Sequence, residues 1–197
     1  MKLLLTCLLL ALPVLADVKI DRKGEQIDVT IDGAPFTTFY FGKDLMKPYL
    51  HPLRTADGTI MTRRWPMETD AAGQSKDHPH HQGLWIGVND VNGIHYWENA
   101  KPGPKWGKVA LEKIVSAKGG GKQGVIEAVF NWTTPDGKVV LREDRKMTFY
   151  SGSGQNRMFD VDAKLTAVNG PVNFGDTKEG FFAIRLNDQL TEKSKGG

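Results

Sequence analysis

The stretch Gln26-Ile27-Asp28-Val29-Thr30-Ile31-Asp32 alternates apolar and polar residues, and Asp32-Gly33 then turns the chain. A period of two places Ile27, Val29 and Ile31 on one face of an extended segment, which is the signature of a half-buried strand. The pattern recurs. Residues 36–41 are aromatic and threonine-rich; residues 84–88 and 94–97 flank Asp90-Val91-Asn92-Gly93, whose Asn-Gly pair signals a hairpin. Residues 108–117, 125–133, 139–150 and 158–168 follow, separated by Gly119-Gly120-Gly121, Pro135-Asp136-Gly137 and Ser151-Gly152-Ser153-Gly154. No window sustains a helical period between caps. Short strands at regular spacing with Gly, Pro and Asp turns predict an all-β chain, an antiparallel β-sandwich.

Lys2 followed by an apolar run to Leu12, a breaking Pro13 and Val14-Leu15-Ala16 predicts a cleavable secretory signal over residues 1–16, too short to anchor the chain in a membrane. The expected product is exported, periplasmic or extracellular, with residues 17–197 as a single domain. Cleavage removes Cys7, the only cysteine, so the mature chain has no disulfide and relies on an ordinary core. The net charge of +3 comes with no dense Lys/Arg tract, which argues against nucleic acid as a partner. After the signal, no run reaches the roughly 18 apolar residues of a membrane span. The oligomeric state is not legible.

Residues 43–66 and 66–83 interrupt the strands with Pro, Gly, His, Arg and Asp, and loops of that length in a compact domain usually carry function. They hold four of the five histidines: His51, His78, His80 and His81. Three chemistries suit them. The first is acid–base catalysis, with His80 or His81 facing Glu179 or Asp176 across a sugar ring. Lys178 would lower its neighbour's pKa and favour a base. The second is a transition metal on His78 and His80, which share a face if the backbone is extended, as Pro79 encourages for His78. No glutamate follows at short spacing, so a third ligand would have to come from His51, His95 or Glu179. The third is a carbohydrate-binding surface of Trp65, Trp85, Trp97, Trp106, Tyr49 and Tyr96, with Arg63, Arg64, Asn89 and Asp90 for hydroxyls. Trp65 and Trp106 sit in loops and are the expected binders, while Trp85 and Trp97 are expected in the core.

The long motifs KPYLHPLRTADGTIMTRRWPM, DHPHHQGLWIGVNDVNGIHYW and FGDTKEGFFAIRL resemble a bacterial family of secreted proteins often labelled methane oxygenase PmoA. The resemblance covers essentially the whole mature chain. It implies kinship with the galactose-mutarotase-like β-supersandwich, a fold of sugar epimerases and polysaccharide-degrading enzymes. It also implies a histidine and a glutamate as the acid–base pair: His80 and His81 as catalytic groups, Glu179 opposite, with Arg63, Arg64 and Trp65 holding a ring. His51, Asp176 and Lys178 complete the expected substrate site. The oxygenase label conflicts with the residues, because spanning helices are absent from the pattern. Relatives continue past KEGFFAIRL, whereas this chain ends in a polar tail at residues 190–197. The resemblance thus implies either a fragment, its sandwich incomplete at the C-terminus, or a short member; if it is a fragment, a strand over residues 181–186 is expected to lack its pairing partner and leave an exposed edge.

The sequence thus predicts a sugar-handling cleft with no cofactor. A metal site on His78 and His80 and a non-catalytic glycan-binding module are the alternatives.

Overall fold

A computed structural model describes residues 16–98, 100–152 and 154–192. Apart from Ala16, the expected signal lies outside the described residues, as does the end of the tail. Among the described residues the regular structure is strand, with one 3-10 helix, Asp188–Leu190. Among the described residues no helix is long and apolar enough to cross a membrane.

The described residues contain ten strands in two antiparallel sheets. The first contains β1 (Val18–Lys23), β2 (Gln26–Ile31), β3 (Ala34–Tyr40), β4 (Tyr49–His51), β5 (Leu84–Ile86) and β10 (Phe182–Ile184), in that order across the sheet. The second is a meander of β6 (Lys108–Lys118), β7 (Gln123–Thr133), β8 (Val139–Tyr150) and β9 (Met158–Ala167). Local chemistry explains the early turns. Asp32 and Gly33, with φ of 53° and 80°, occupy the left-handed region that a two-residue hairpin needs.

The faces of the first sheet differ. Ile27, Val29 and Ile31 on β2, Phe39 on β3, Leu50 on β4 and Leu84 and Ile86 on β5 are buried. They form one cluster with Ile126, Phe130, Trp132, Leu141, Met147 and Phe149 of the second sheet, which makes the molecule a β-sandwich. Phe39 meets Phe130 edge to face at 6.1 Å between ring centroids, and Phe36 meets Phe149 at 6.2 Å. Alternation sends Tyr40, Tyr49, Trp85 and Ala183 to the opposite face. They are directly paired across β3, β4, β5 and β10, so they make one cross-strand row.

Two sequence expectations change here. Residues 94–97 are not a strand: Ile94 bridges Val91 and His95 bridges Trp106, so the hairpin closes at once around Asn92-Gly93. The backbone then delivers Tyr96 into the core, 4.9 Å from the Trp132 ring, and burial of that ring outweighs regular pairing. β5 likewise ends at Ile86 rather than residue 88. Among the described residues β10 lies at the other limit of the sheet, with Phe182 51% and Ile184 42% exposed.

Candidate functional site

The site is built on the outer row of the first sheet. Tyr40 and Tyr49 stack at 5.1 Å, Trp85 lies beside Tyr49 in register, and Trp97 tilts against Trp85 at 5.1 Å. Leu45, Met67 and Ala183 close this second apolar cluster. The histidine loop lies on top. The His81 ring stacks on Trp85 at 5.0 Å and meets Trp97 edge-on at 5.9 Å. His78 stacks on His81 at 4.8 Å, and His80 abuts His81 at 4.4 Å. The result is a platform three rings deep: imidazole on imidazole on indole.

One arginine holds the loop in place. Arg63 is fully buried. Its guanidinium donates to the Trp65 carbonyl at 2.9 Å, the Ser75 hydroxyl, the Asp77 carboxylate and the carbonyls of His78 (2.9 Å) and His81. A buried guanidinium is tolerated because its donors find acceptors in a fixed fork. Asp77 also accepts from Arg185 at 2.9 Å and from His78 Nδ1 at 2.8 Å. Asp188 takes the backbone N–H and hydroxyl of Ser75, tying the loop to the 3-10 helix. The His81 N–H bonds the His78 carbonyl at 3.0 Å and His78 takes φ 45°, so residues 78–81 turn. The extended His78 expected from Pro79 gives way to that turn, because Arg63 and Asp77 fix both its carbonyl and its ring. Gly83 then admits the loop to β5: a Cβ there would stand 2.1 Å from the Leu50 carbonyl oxygen.

Electrostatics follow from burial and from the cations. Burial, then the charges of Lys47, His78 and Arg63, push His80 down to about 4. Burial, then His80, His78 and Arg185, push His81 down to about 3. Both imidazoles are therefore neutral at pH 7. Burial opposes ionisation of Asp77, but the His78 hydrogen bond and the Arg185 and Arg63 charges hold it well below the carboxylate range. Lys47 is fully enclosed, donates to the Trp97 carbonyl at 3.0 Å and is lowered to about 7 by burial. A cavity of about 820 Å³ opens beside the loop; Ser75, Asp77, His78, Arg185 and Asp188 line it, while His80 and His81 do not.

The residues singled out in the sequence fall into separate places. His51 is buried beneath the loop and fully engaged. Its Nε2 donates to Glu68 at 3.3 Å, and its Nδ1 accepts from the Thr62 hydroxyl at 3.2 Å. Thr62 in turn accepts from the Leu53 N–H at 3.1 Å. Arg64 pairs with Glu68 at 2.6 Å and Asp70 at 3.1 Å. Trp65 lies half-buried with the Arg63 guanidinium 5.1 Å over its ring. Glu179 faces Lys178 at 3.6 Å, and the Thr177 hydroxyl donates to its carbonyl; Asp176 is exposed. His95 sits apart, at 3.2 Å from the Asn89 side-chain oxygen. Among the described residues, no three His, Cys, Asp or Glu side chains converge in a way that could hold a metal ion.

Two contributors, Lys47 and Arg185, escaped the sequence reading. Trp85 and Trp97 are buried, as expected, yet they form the floor of the site rather than part of the inter-sheet core. Lys47 could have been noticed as a lysine wedged between Leu45-Met46 and Tyr49-Leu50. Arg185 could have been placed by period two, which puts it on the face of Ala183, the face that carries Trp85.

Residues 26–197 match a protein-family model described as a family of unknown function, DUF6807. No curated protein and no solved structure matches the chain.

Proposed function

The chain belongs to the DUF6807 family, and from that premise and the site geometry we propose that it is an exported carbohydrate-binding protein whose ligand seats on the histidine–tryptophan platform. One observation carries the reading: the His78–His81–Trp85 stack, with Trp97 at its flank, lies on a sheet face turned away from the sandwich core. Flat aromatic rings suit the C–H faces of a sugar, and neutral imidazoles beside them can both donate and accept hydrogen bonds to hydroxyls. The neighbouring cavity falls within the range of small-molecule sites. The mutarotase-like resemblance of the motifs points to the same ligand class.

Binding is better supported than proton transfer. Imidazoles lowered to about 4 and 3 are weak bases at neutral pH, below the range in which acid–base catalysis is efficient. The partners of Glu179 are Lys178 and Thr177. Titration calorimetry of a panel of mono- and oligosaccharides against wild type and His80→Ala tests the reading. Saturable binding that weakens at least about tenfold in the variant is expected, that is, about 1.4 kcal/mol. Binding of no sugar, or equal binding by both proteins, overturns it.

A further inference from the structure

The two flanks of the sandwich are finished differently. On one, β1 closes the gap between the sheets: the Val18 N–H donates to the Gly121 carbonyl at 3.0 Å, and a Cβ on Gly124 of β7 would stand 2.5 Å from the Val18 side chain. The other flank ends in β10 of the first sheet and β9 of the second, and neither has an outer strand partner among the described residues. A groove of about 420 Å³ runs between them, lined chiefly by Ile86, Phe159, Val161, Phe181 and Phe182. Among the described residues, seven of the eight exposed large apolar side chains lie between Met158 and Leu190, the exception being Val115. Apolar side chains gathered beside unpaired backbone mark a surface that another chain covers.

Of the two edges, β9 is the better template. It runs for ten residues, against three for β10. It pairs with β8 without a register shift, contains no proline, and sets its one lysine beside two aspartates. Bulges, prolines and lysines are what ordinarily keep such an edge from pairing. Its odd-numbered side chains face the core, where Phe159, Val161 and Leu165 pack against the inter-sheet cluster. Met158, Asp160, Asp162, Lys164 and Thr166 alternate with them and are exposed.

The order of these residues selects the occupant. Directly opposite residues of an antiparallel pair share a face, so a second β9 must meet the first with odd positions opposite odd. A two-fold axis at Ala163 sets Asp162 opposite Lys164 of the second copy, and Lys164 opposite its Asp162, with no like charges facing each other. It also sets Val161 opposite Leu165, and Met158, 54% exposed, opposite Val168, 43% exposed. An axis one residue to either side places Asp162 against Asp162 or Lys164 against Lys164. Opposite charges across a ladder stabilise it and like charges destabilise it. We propose that the chain forms a two-fold dimer in which β9 pairs with β9 of a second copy about Ala163, joining two four-stranded sheets into one of eight. An isologous contact of this kind closes on itself, so it covers the edge without building fibres.

The test is sedimentation equilibrium of the full chain from micromolar to submillimolar concentration. The wild type is expected to approach twice the mass of one chain. Asp162→Lys and Lys164→Asp each bring like charges together twice across the axis, and each should weaken dimerisation about tenfold or more. Mixed in equal amounts, the two variants should pair with each other, because each carries the charges that the other lacks. The doubly exchanged variant should dimerise as the wild type does. Both positions are exposed, and a misfolded variant would not regain pairing in the mixture. A wild-type chain that stays monomeric overturns the proposal, whether the flank is then taken by a strand of a different polypeptide or by none. A dimer indifferent to both exchanges overturns it too, since the contact would then lie on another surface.

Discussion

The space between the two sheets and the outer face of the six-stranded sheet use the same residue types to opposite ends. On the inner side Trp132 of β7 is buried with its indole N–H donated to Glu143 of β8 at 2.8 Å, and Glu143 is in turn bonded by Arg145. On the outer face Trp85 and Trp97 are as deeply buried, yet their N–H groups have no partner among the described residues. An unmet buried donor costs about 1–3 kcal/mol. The inner side is arranged to hold the sandwich together; the outer face leaves its buried indole donors unmet. The same contrast separates two histidines. His51 is satisfied at both nitrogens, whereas His81 has a buried nitrogen without a partner.

The contrast can be broken most forcefully at its two anchors. Phe130→Ala removes a fully buried ring that meets Phe39, and should lower unfolding free energy by about 3–5 kcal/mol in a denaturant titration. Arg63→Met, on the outer side, should cost about 3 kcal/mol because it strips the histidine loop of its main donor; near-ultraviolet dichroism of the tryptophans should change with it. Arg63→Lys should not rescue the loop, since an ammonium cannot reproduce the fork.

The paired tryptophans sharpen the comparison. Trp132→Phe should destabilise by about 2 kcal/mol, as Glu143 loses a donor in the core. Trp85→Phe removes a donor that had no partner, so thermal unfolding should shift by less than half as much. Equal losses at both positions would show that the outer indoles are paired in solution.

Acid exposes the loop. His80 and His81 have folded pKa values of about 4 and 3, below the ordinary value of 6.5, so below pH 6.5 the unfolded chain binds more protons than the folded one. Stability from these groups is therefore complete above about pH 6.5 and is lost progressively as pH falls toward 4 and 3. The unfolding midpoint of His80→Gln/His81→Gln should vary less across that window than that of wild type. The smallest effect belongs to the sheet edge. Phe182→Ser, at a half-exposed ring, should move stability by no more than about 0.5 kcal/mol.

Much of the fold was legible. Long alternating runs placed β6 to β9 almost to the residue, because in a meander each strand pairs with its chain neighbour and one buried face imposes the period. β4, three residues long, is too short to show a period and is held as a strand by β3 and β5 on either side. The site was half legible. Crowded imidazoles and a long polar loop announced it, yet the sequence offered Arg63 as a ligand contact, and its hydrogen bonds run to the loop itself.

The chain's own order of residues determined that it would form sheets, where most turns fall, and that one loop would be rich in titratable rings. Tertiary structure decided which face of the first sheet is filled by the second and which stays outside it. It also brought Arg185 and Asp188 to a loop more than 100 residues earlier. The reason is physical: alternation and turn chemistry act over a few neighbouring residues, whereas burial and charge pairing depend on which distant surfaces meet.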